Sequence, residues 1–334
     1  MIGIDDITVY IPKLFISTLG EFATSRDIEP AKLARGIGVE KMAVPDVHED
    51  AATMAAMSLL EMMQRNHLRP EQVGRIYVGT ESGVDEAKAI GTYVIGMLEK
   101  VYGPGSFQEC STVEFKSACI STTHALENVS YWLSASDDAH DKVGIVVASD
   151  IAKYELNSPG EYTQGAGSVS LLVKKNPRLM TFESPVGIYT KDENDFFRPI
   201  GTWIAVVNGK YSNYCYLTAM EGAFDSFRKK ILDRKTIRLD GNECITDHLT
   251  HLIFHIPYPR MAEYAAAAIF RQEWRDLPRW KKIGDQIGRE PRPDMFENQD
   301  DYLVADNDFR RKFTKTEQFL MAYSPPFPWL TISS

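Results

Sequence analysis

The sequence predicts an α/β fold with a largely internal sheet, and three observations carry this. The first half of the 334-residue chain alternates strand and helix in the order β-α-β-α-β-α-β-β. One of its strands, VGIVVA (143–148), is apolar without interruption, as a strand covered on both faces must be. The helix at Asp50–Gln64 carries Ala52, Ala56, Leu59, Leu60 and Met63 on one side, the pattern of a helix lying on a sheet.

The elements follow in order. Ile2–Ile11 reads as a strand ended by Pro12. After the helix at 50–64, Arg75–Gly79 is a short buried strand. Asp85–Val101 reads as a helix that Pro104 and its flanking glycines stop. Val113–Phe115 is a short strand leading into a helix over Cys119–Leu133. Val143–Ala148 and Ser168–Val173 complete the half. The second half is less regular. Tyr214–Arg234 is mostly helix, Leu249–Ile256 (LTHLIFHI) reads as a strand, and Met261–Trp274 is an Ala-rich helix. A charged, Pro-punctuated stretch over 276–301 precedes one more helix, Asp306–Ala322, and the closing SPPFPWLTISS. At ~150 residues per domain the length suggests two units. The element pattern divides them at 1–175 and 176–334, with the second short of strands.

Composition excludes several classes. Lys plus Arg is 37 against 46 Asp plus Glu, a net charge of −9, which makes a poor general nucleic-acid binder. No run approaches the ~18 apolar residues of a membrane helix. The opening MIGIDDITVY has no basic region ahead of an apolar stretch, so it does not read as a secretory signal. Cys110, Cys119, Cys215 and Cys244 form no CxxC and are too dispersed for a disulfide framework. Free thiols in a reducing cytoplasm are the expectation.

Three residues stand where chemistry is done. Cys119, in EFKSACISTTHAL, lies where a strand passes into a helix. Peptide dipoles there are expected to lower a thiol pKa and favour the nucleophilic thiolate, although most cysteines are simply packed. Glu81 follows directly after a strand, and open α/β sheets bind ligands at the carboxyl ends of strands. A part-buried carboxylate beside Gly79 and Gly83 suits a general base, although solvated or capping glutamates are more common. His255 stands near the end of the segment HLIFHI, two residues before Pro257, and can move a proton near neutral pH. A metal site of His248, His251 and His255 is disfavoured. On a strand 248 and 251 point to opposite faces, and no carboxylate or Cys completes the set. The Gly-rich loop NSPGEYTQGAG (157–167) offers Asn157, Thr163 and Gln164 to a ligand carbonyl, but carries no dinucleotide or P-loop fingerprint. A Cys–His pair alone would suit a thiol protease. A carboxylate as third partner suits proton removal next to a carbonyl.

With these residues in place, the chain resembles the hydroxymethylglutaryl-CoA synthase family, in its archaeal and bacterial branch. The motifs are GTESGVDEAKA (79–89), SACISTTHAL (117–126), VVASDIAKYELNSPGEYTQGAGSVSLLV (146–173), DFFRPIGTWIAVVNGKYSNYCYL (195–217) and IFHIPYPRM (253–261). The resemblance runs from residue 1 to about residue 325. It implies a thiolase-like fold of two pseudo-repeated βαβαβαββ halves, the second incomplete. It implies a ping-pong condensation of acetyl-CoA with acetoacetyl-CoA, cytoplasmic and in the mevalonate pathway. Cys119 would take the acetyl group, Glu81 would remove a proton from its methyl, and His255 would hold the acetoacetyl group and donate to the developing alkoxide. Asn157, Thr163 and Ser212 would contact the acyl chain. No resident cofactor is implied, and a homodimer would form through the edge strand near 112–116.

Two departures from the family pattern stand out. The position nine residues after the His, commonly a Lys that meets the CoA phosphates, is Tyr264, with Arg260 as a possible substitute. The family also continues past a segment like SPPFPWLTISS into a Gly-Asn-x-Tyr-Thr-Gly-Ser element and closing strands. Their absence leads to the expectation that another chain supplies them, that the chain is a truncated product, or that its end is remodelled. Two alternatives accompany the synthase reading: a carrier-protein-dependent β-branching synthase, and a non-catalytic or split-subunit remnant.

Overall fold

Residues 1–323 are described by a computed structural model. They form two units, Met1–Ala31 with Glu40–Glu183, and Lys32–Val39 with the chain from Ser184 onward.

The first unit is organised by a six-stranded mixed sheet. Its strands are β1 (Ile2–Tyr10), β4 (Val73–Gly79), β5 (Ser111–Phe115), β6 (Val143–Ala152), β7 (Gly165–Lys175) and β8 (Met180–Thr181), in the spatial order β5-β4-β6-β7-β1-β8. A separate hairpin pairs β2 (Leu14–Ser17) with β3 (Lys41–Val44). The β4–β5 and β4–β6 pairs are parallel, and β6–β7 and β7–β1 are antiparallel. Three helices connect the parallel strands: α1 (Ala51–Arg65), α2 (Ile90–Tyr102) and α3 (Ser121–Ala135).

Strand alternation decides which helix each residue meets. Ile145 and Val147 of β6, with Ile76 and Val78 of β4, pack against α1 and α2 through Leu59, Met63, Val94 and Leu98. Val146 and Tyr77 point the other way and meet Ala125, Val129 and Leu133 of α3. The sheet is therefore covered on both faces, which is why VGIVVA is continuously apolar. Helix α1 opens on a capping box: Asp50 Oδ1 accepts from Thr53 N at 2.8 Å, and Thr53 Oγ1 accepts from Asp50 N at 2.7 Å.

The helix expected from Asp85 starts instead at Ile90. Asp85 Oδ1 captures the N–H groups of Ala87 and Lys88 at 2.8 and 2.7 Å, folding 85–88 into a turn. Glu114 Oε2 accepts from Ile90 N at 2.9 Å at the helix start.

The second unit is mainly helical among its described residues. A two-residue ladder joins β9 (Phe196–Phe197) to β10 (Val206–Val207). There follow α4 (Gly209–Asp233), α5 (Met261–Trp274), α6 (Pro278–Ile287), α7 (Gln299–Phe313) and α8 (Glu317–Tyr323). Ala-rich α5 is buried nearly all round, and its Phe270 and Trp274 stack with centroids 4.7 Å apart. Trp274 meets Phe313 edge-on at 5.9 Å, and Phe319 closes the cluster at 5.3 Å from Phe313. Arg271 sits in this interior with its one charge shared between two carboxylates: its Nε donates to Glu290 at 2.8 Å and its Nη2 to Asp306 at 2.7 Å.

Three expectations change here. Leu249–Ile256 is not a strand: after a 3-10 turn at Ile245–His248 it runs without a ladder partner among the described residues. The 276–301 stretch holds α6, opened by Pro278 in its first turn. The helix foreseen over Asp306–Ala322 is two helices, because Thr316 Oγ1 bonds Phe313 O at 2.8 Å and accepts from Phe319 N at 3.3 Å. The closing SPPFPWLTISS lies outside the described residues.

Candidate active site

Strands β4 and β5 run parallel, so their carboxyl ends lie side by side. The chain leaves β4 at Gly79 and reaches Glu81, and it leaves β5 at Phe115 and reaches Cys119. The register pairs Gly79 with Phe115, and the two side chains meet beyond that pair. Cys119 Sγ is 3.0 Å from Glu81 Oε1, with the thiol donating.

The turn before Cys119 is tight. Ala118 holds φ +46°, in the left-handed region that a Cβ disfavours. Ser121 secures it: its Oγ accepts from Ser117 N at 2.7 Å and donates to Ala118 O at 2.6 Å. Gly79 lets the start of α3 settle on the strand end, since a Cβ there would lie 2.7 Å from both the nitrogen and the hydroxyl of Thr122. Cys119 stands two residues ahead of the first residue of α3.

The expectation of a lowered Cys119 pKa is overturned. The thiol pKa is pushed up, first by desolvation, then by the negative charge of Glu81 and the hydrogen bond to it, with Asp150 adding to the effect. The side chain keeps an exposed surface, but its surroundings withhold water from the thiolate. Helix dipoles act within the first turn, and here desolvation and a carboxylate in contact outweigh them. The resting group is a thiol that hands its proton toward Glu81.

Asp150, near the end of β6, is the residue that sequence reasoning missed. Its Oδ1 accepts from the backbone N–H of Glu81 at 2.6 Å, from Ser82 N at 3.1 Å, and from the hydroxyls of Ser82 and Thr80 at 2.8 and 3.0 Å. One carboxylate oxygen thus holds the whole 80–82 turn. Burial pushes the Asp150 pKa up, and these bonds oppose the shift. The carboxyl-end rule that singled out Glu81 after β4 applies equally to β6, and it was the signal available. Tyr154, in the same neighbourhood, has its phenol pushed up to about 12 by desolvation and by Glu81, Cys119 and Asp150.

Asn157 and Thr163 lie in the loop between β6 and β7. Asn157 takes φ +63°, and Thr163 Oγ1 donates to Gly160 O at 2.8 Å. Glu161 anchors this loop: nearly buried, it accepts from Asn157 N at 2.8 Å and pairs with Arg26 through Nε at 2.9 Å and Nη2 at 2.5 Å.

His255, Ser212 and Arg260 belong to the second unit. Burial lowers the His255 pKa. Its backbone oxygen accepts from Tyr216 OH at 2.8 Å, and the two rings lie 6.0 Å apart. Ser212 is in the first turn of α4. Arg260 precedes α5, with Nε donating to Arg35 O at 3.2 Å and Nη1 facing Glu263 at 3.4 Å. Tyr264 is covered by Arg310, whose guanidinium carbon lies 4.6 Å from the ring centroid.

Family models described as hydroxymethylglutaryl-coenzyme A synthase N terminal and C terminal match residues 1–177 and 180–316. The chain belongs to the hydroxymethylglutaryl-CoA synthase family. A hydroxymethylglutaryl-CoA synthase of Haloferax volcanii is 34% identical over 334 residues, all of this chain and 72% of the relative. One of Enterococcus faecalis is 34% identical over 267 residues, 80% of this chain and 64% of the relative. The solved structure of MvaS in complex with 3-hydroxy-3-methylglutaryl coenzyme A matches with TM-score 0.77 and 28% identity, over 96% of this chain and 70% of that one. The fold is thiolase-like, as in these relatives. The chain spans roughly two thirds of the length of the relatives it matches.

Proposed function

We propose that this protein is a hydroxymethylglutaryl-CoA synthase, an acyltransferase that condenses acetyl-CoA with acetoacetyl-CoA. The Cys119–Glu81 contact at 3.0 Å carries the reading. In the first half-reaction Cys119 passes its proton to Glu81 and Sγ attacks the acetyl carbonyl. The C–S bond of acetyl-CoA breaks, and coenzyme A leaves as the thiol with that proton. Glu81, again a carboxylate, then removes a proton from the acetyl methyl, which the thioester acidifies. The carbanion attacks the ketone of acetoacetyl-CoA, and the alkoxide is protonated. Water hydrolyses the Cys119 thioester to release the product.

His255 is assigned to the ketone and the developing alkoxide. Its lowered pKa leaves it a neutral ring near pH 7, offering an N–H to the oxygen. Asn157, Thr163 and Ser212 are assigned to the acyl chain and Arg260 to the coenzyme. No resident cofactor enters this chemistry. The same reading places the protein in the cytoplasm, in the mevalonate pathway. It makes the protein a homodimer in which β5, an edge strand of the sheet, pairs with its mate. No described helix is long and apolar enough to cross a membrane.

Turnover tests the reading. Mixing the protein with both thioesters should release coenzyme A and form 3-hydroxy-3-methylglutaryl-CoA. Cys119→Ala and Glu81→Ala should each abolish the product, and product formation by Cys119→Ala would refute the assignment.

A further inference from the structure

A cavity of about 340 Å³ opens in the second unit between α6, the 288–292 segment and α7. One wall is aromatic: Trp280 and Phe309 line it, with rings 6.1 Å apart and inclined at 53°. Gly284 and Gly288 leave the backbone bare beside it, with nothing within 4 Å of where their Cβ atoms would lie. The rim is cationic. Lys281, Arg289 and Arg292 are exposed and have no ion-pair partner among the described residues.

Two carboxylates also line the space. Glu290 is already neutralised, because Arg271 and Arg275 both donate to it at 2.8–2.9 Å. Among the described residues Asp285 is the only other one, so three cations without an ion-pair partner face one such carboxylate. In a chain of net charge −9, this is a local reversal of sign at a concave, partly aromatic surface.

We propose that this cavity binds a nucleoside polyphosphate, with the base against Trp280 and the phosphates on Lys281, Arg289 and Arg292. The volume lies in the range of small-molecule sites. Arg and Lys on a rim are the groups that take phosphate oxygens, and a flat apolar wall takes a base. A simple inorganic anion would not use the aromatic wall, and a neutral aromatic would not use the rim. The cavity is built from residues outside those assigned to the condensation, so its occupancy stands or falls independently of that reading.

Isothermal titration of the full chain with ADP near physiological salt tests this. ADP should bind saturably with one site per chain, and more tightly than either adenosine or tripolyphosphate alone. The K281E/R289E/R292E variant should lose roughly tenfold or more in affinity, the scale of one or two charge-assisted contacts. All three side chains are exposed, and a melting curve checks that the fold is kept. Asp285→Lys, a second exposed change, should tighten binding and decides the matter if the triple variant is unstable. Absence of ADP binding, unchanged affinity in the folded triple variant, or unchanged affinity in Asp285→Lys would each overturn the proposal.

Discussion

The Asp150 carboxylate accepts the backbone N–H of Glu81 at 2.6 Å, fixing the residue that faces the Cys119 thiol. The same oxygen holds Ser82 and Thr80, so three successive residues hang from one acceptor. Asp150 touches neither Sγ nor the carboxylate of Glu81 through these bonds. It is a positioning residue.

Removing it should therefore damage chemistry more than stability. Asp150→Ala should slow transfer of an acetyl group to Cys119 by roughly 10²-fold, the cost of misplacing a reacting group by about 1 Å. Asp150→Asn keeps an acceptor oxygen and should restore a large part of the rate. Single-turnover transfer kinetics compare the two. Equal loss in both variants, tracking a fall in Tm, would reduce Asp150 to a packing role.

The Arg26–Glu161 pair gives a pH prediction. Its hydrogen bonds to Arg26 first, and then to the Asn157 N–H, hold the Glu161 pKa below its ordinary value despite burial. A group with a depressed folded pKa adds stability above its unfolded pKa and loses it as pH falls through the folded one. The 157–164 loop should hence loosen below about pH 4, and Glu161→Gln should be less sensitive to acid there. Arg26→Met leaves the Glu161 carboxylate without its cation and should lower stability at pH 7, with the loss shrinking as pH falls and the carboxylate is protonated. Urea unfolding at pH 7 and pH 3 measures both.

Ala118 at φ +46° predicts unequal effects of two substitutions. Ala118→Gly accepts this conformation freely and should leave stability within ~1 kcal/mol of the parent. Ala118→Val, β-branched in the left-handed region, should lose more than ~2 kcal/mol and displace Cys119. Denaturant midpoints at constant m-value decide between them, and equal midpoints would show that the turn is not strained.

In the second unit, Phe313 is fully buried between Trp274, Trp280 and Phe319. Phe313→Ala should cost ~3–5 kcal/mol, the transfer of the ring plus the cavity left behind. Thermal unfolding would show it as a lowered Tm, and a shift of only a degree or two would mean that the cluster collapses onto the gap.

The first unit was largely legible in the sequence because its core strands are either wholly apolar or bounded by glycine, and its α1 helix shows one apolar side. The misreadings have local causes. Asp85 offers its side chain to the N–H groups a helix would need, and so delays α2 to Ile90. LTHLIFHI has strand-like residues but no neighbouring strand among those described, and a ladder needs two. Thr316 breaks a continuous helical pattern with one hydroxyl. In the site, Glu81 and Cys119 were legible because each follows a strand end, and parallel pairing of β4 with β5 brings such ends together. Asp150 was not, because it reads as one polar residue near the end of an apolar strand. The direction of the Cys119 pKa shift was misjudged because proximity to a helix start is visible in sequence, whereas desolvation and a carboxylate 38 residues away in contact are not.

The account rests on Cys119 as the acyl acceptor paired with Glu81, and intact-mass spectrometry after incubation with acetyl-CoA alone tests it most directly. The wild-type protein should gain one acetyl group, mapped to Cys119, with a rate that rises with pH because the thiol pKa is raised. Cys119→Ala should gain none. A folded wild-type protein that stays unmodified, or one acetylated instead at Cys110, Cys215 or Cys244, would contradict the account.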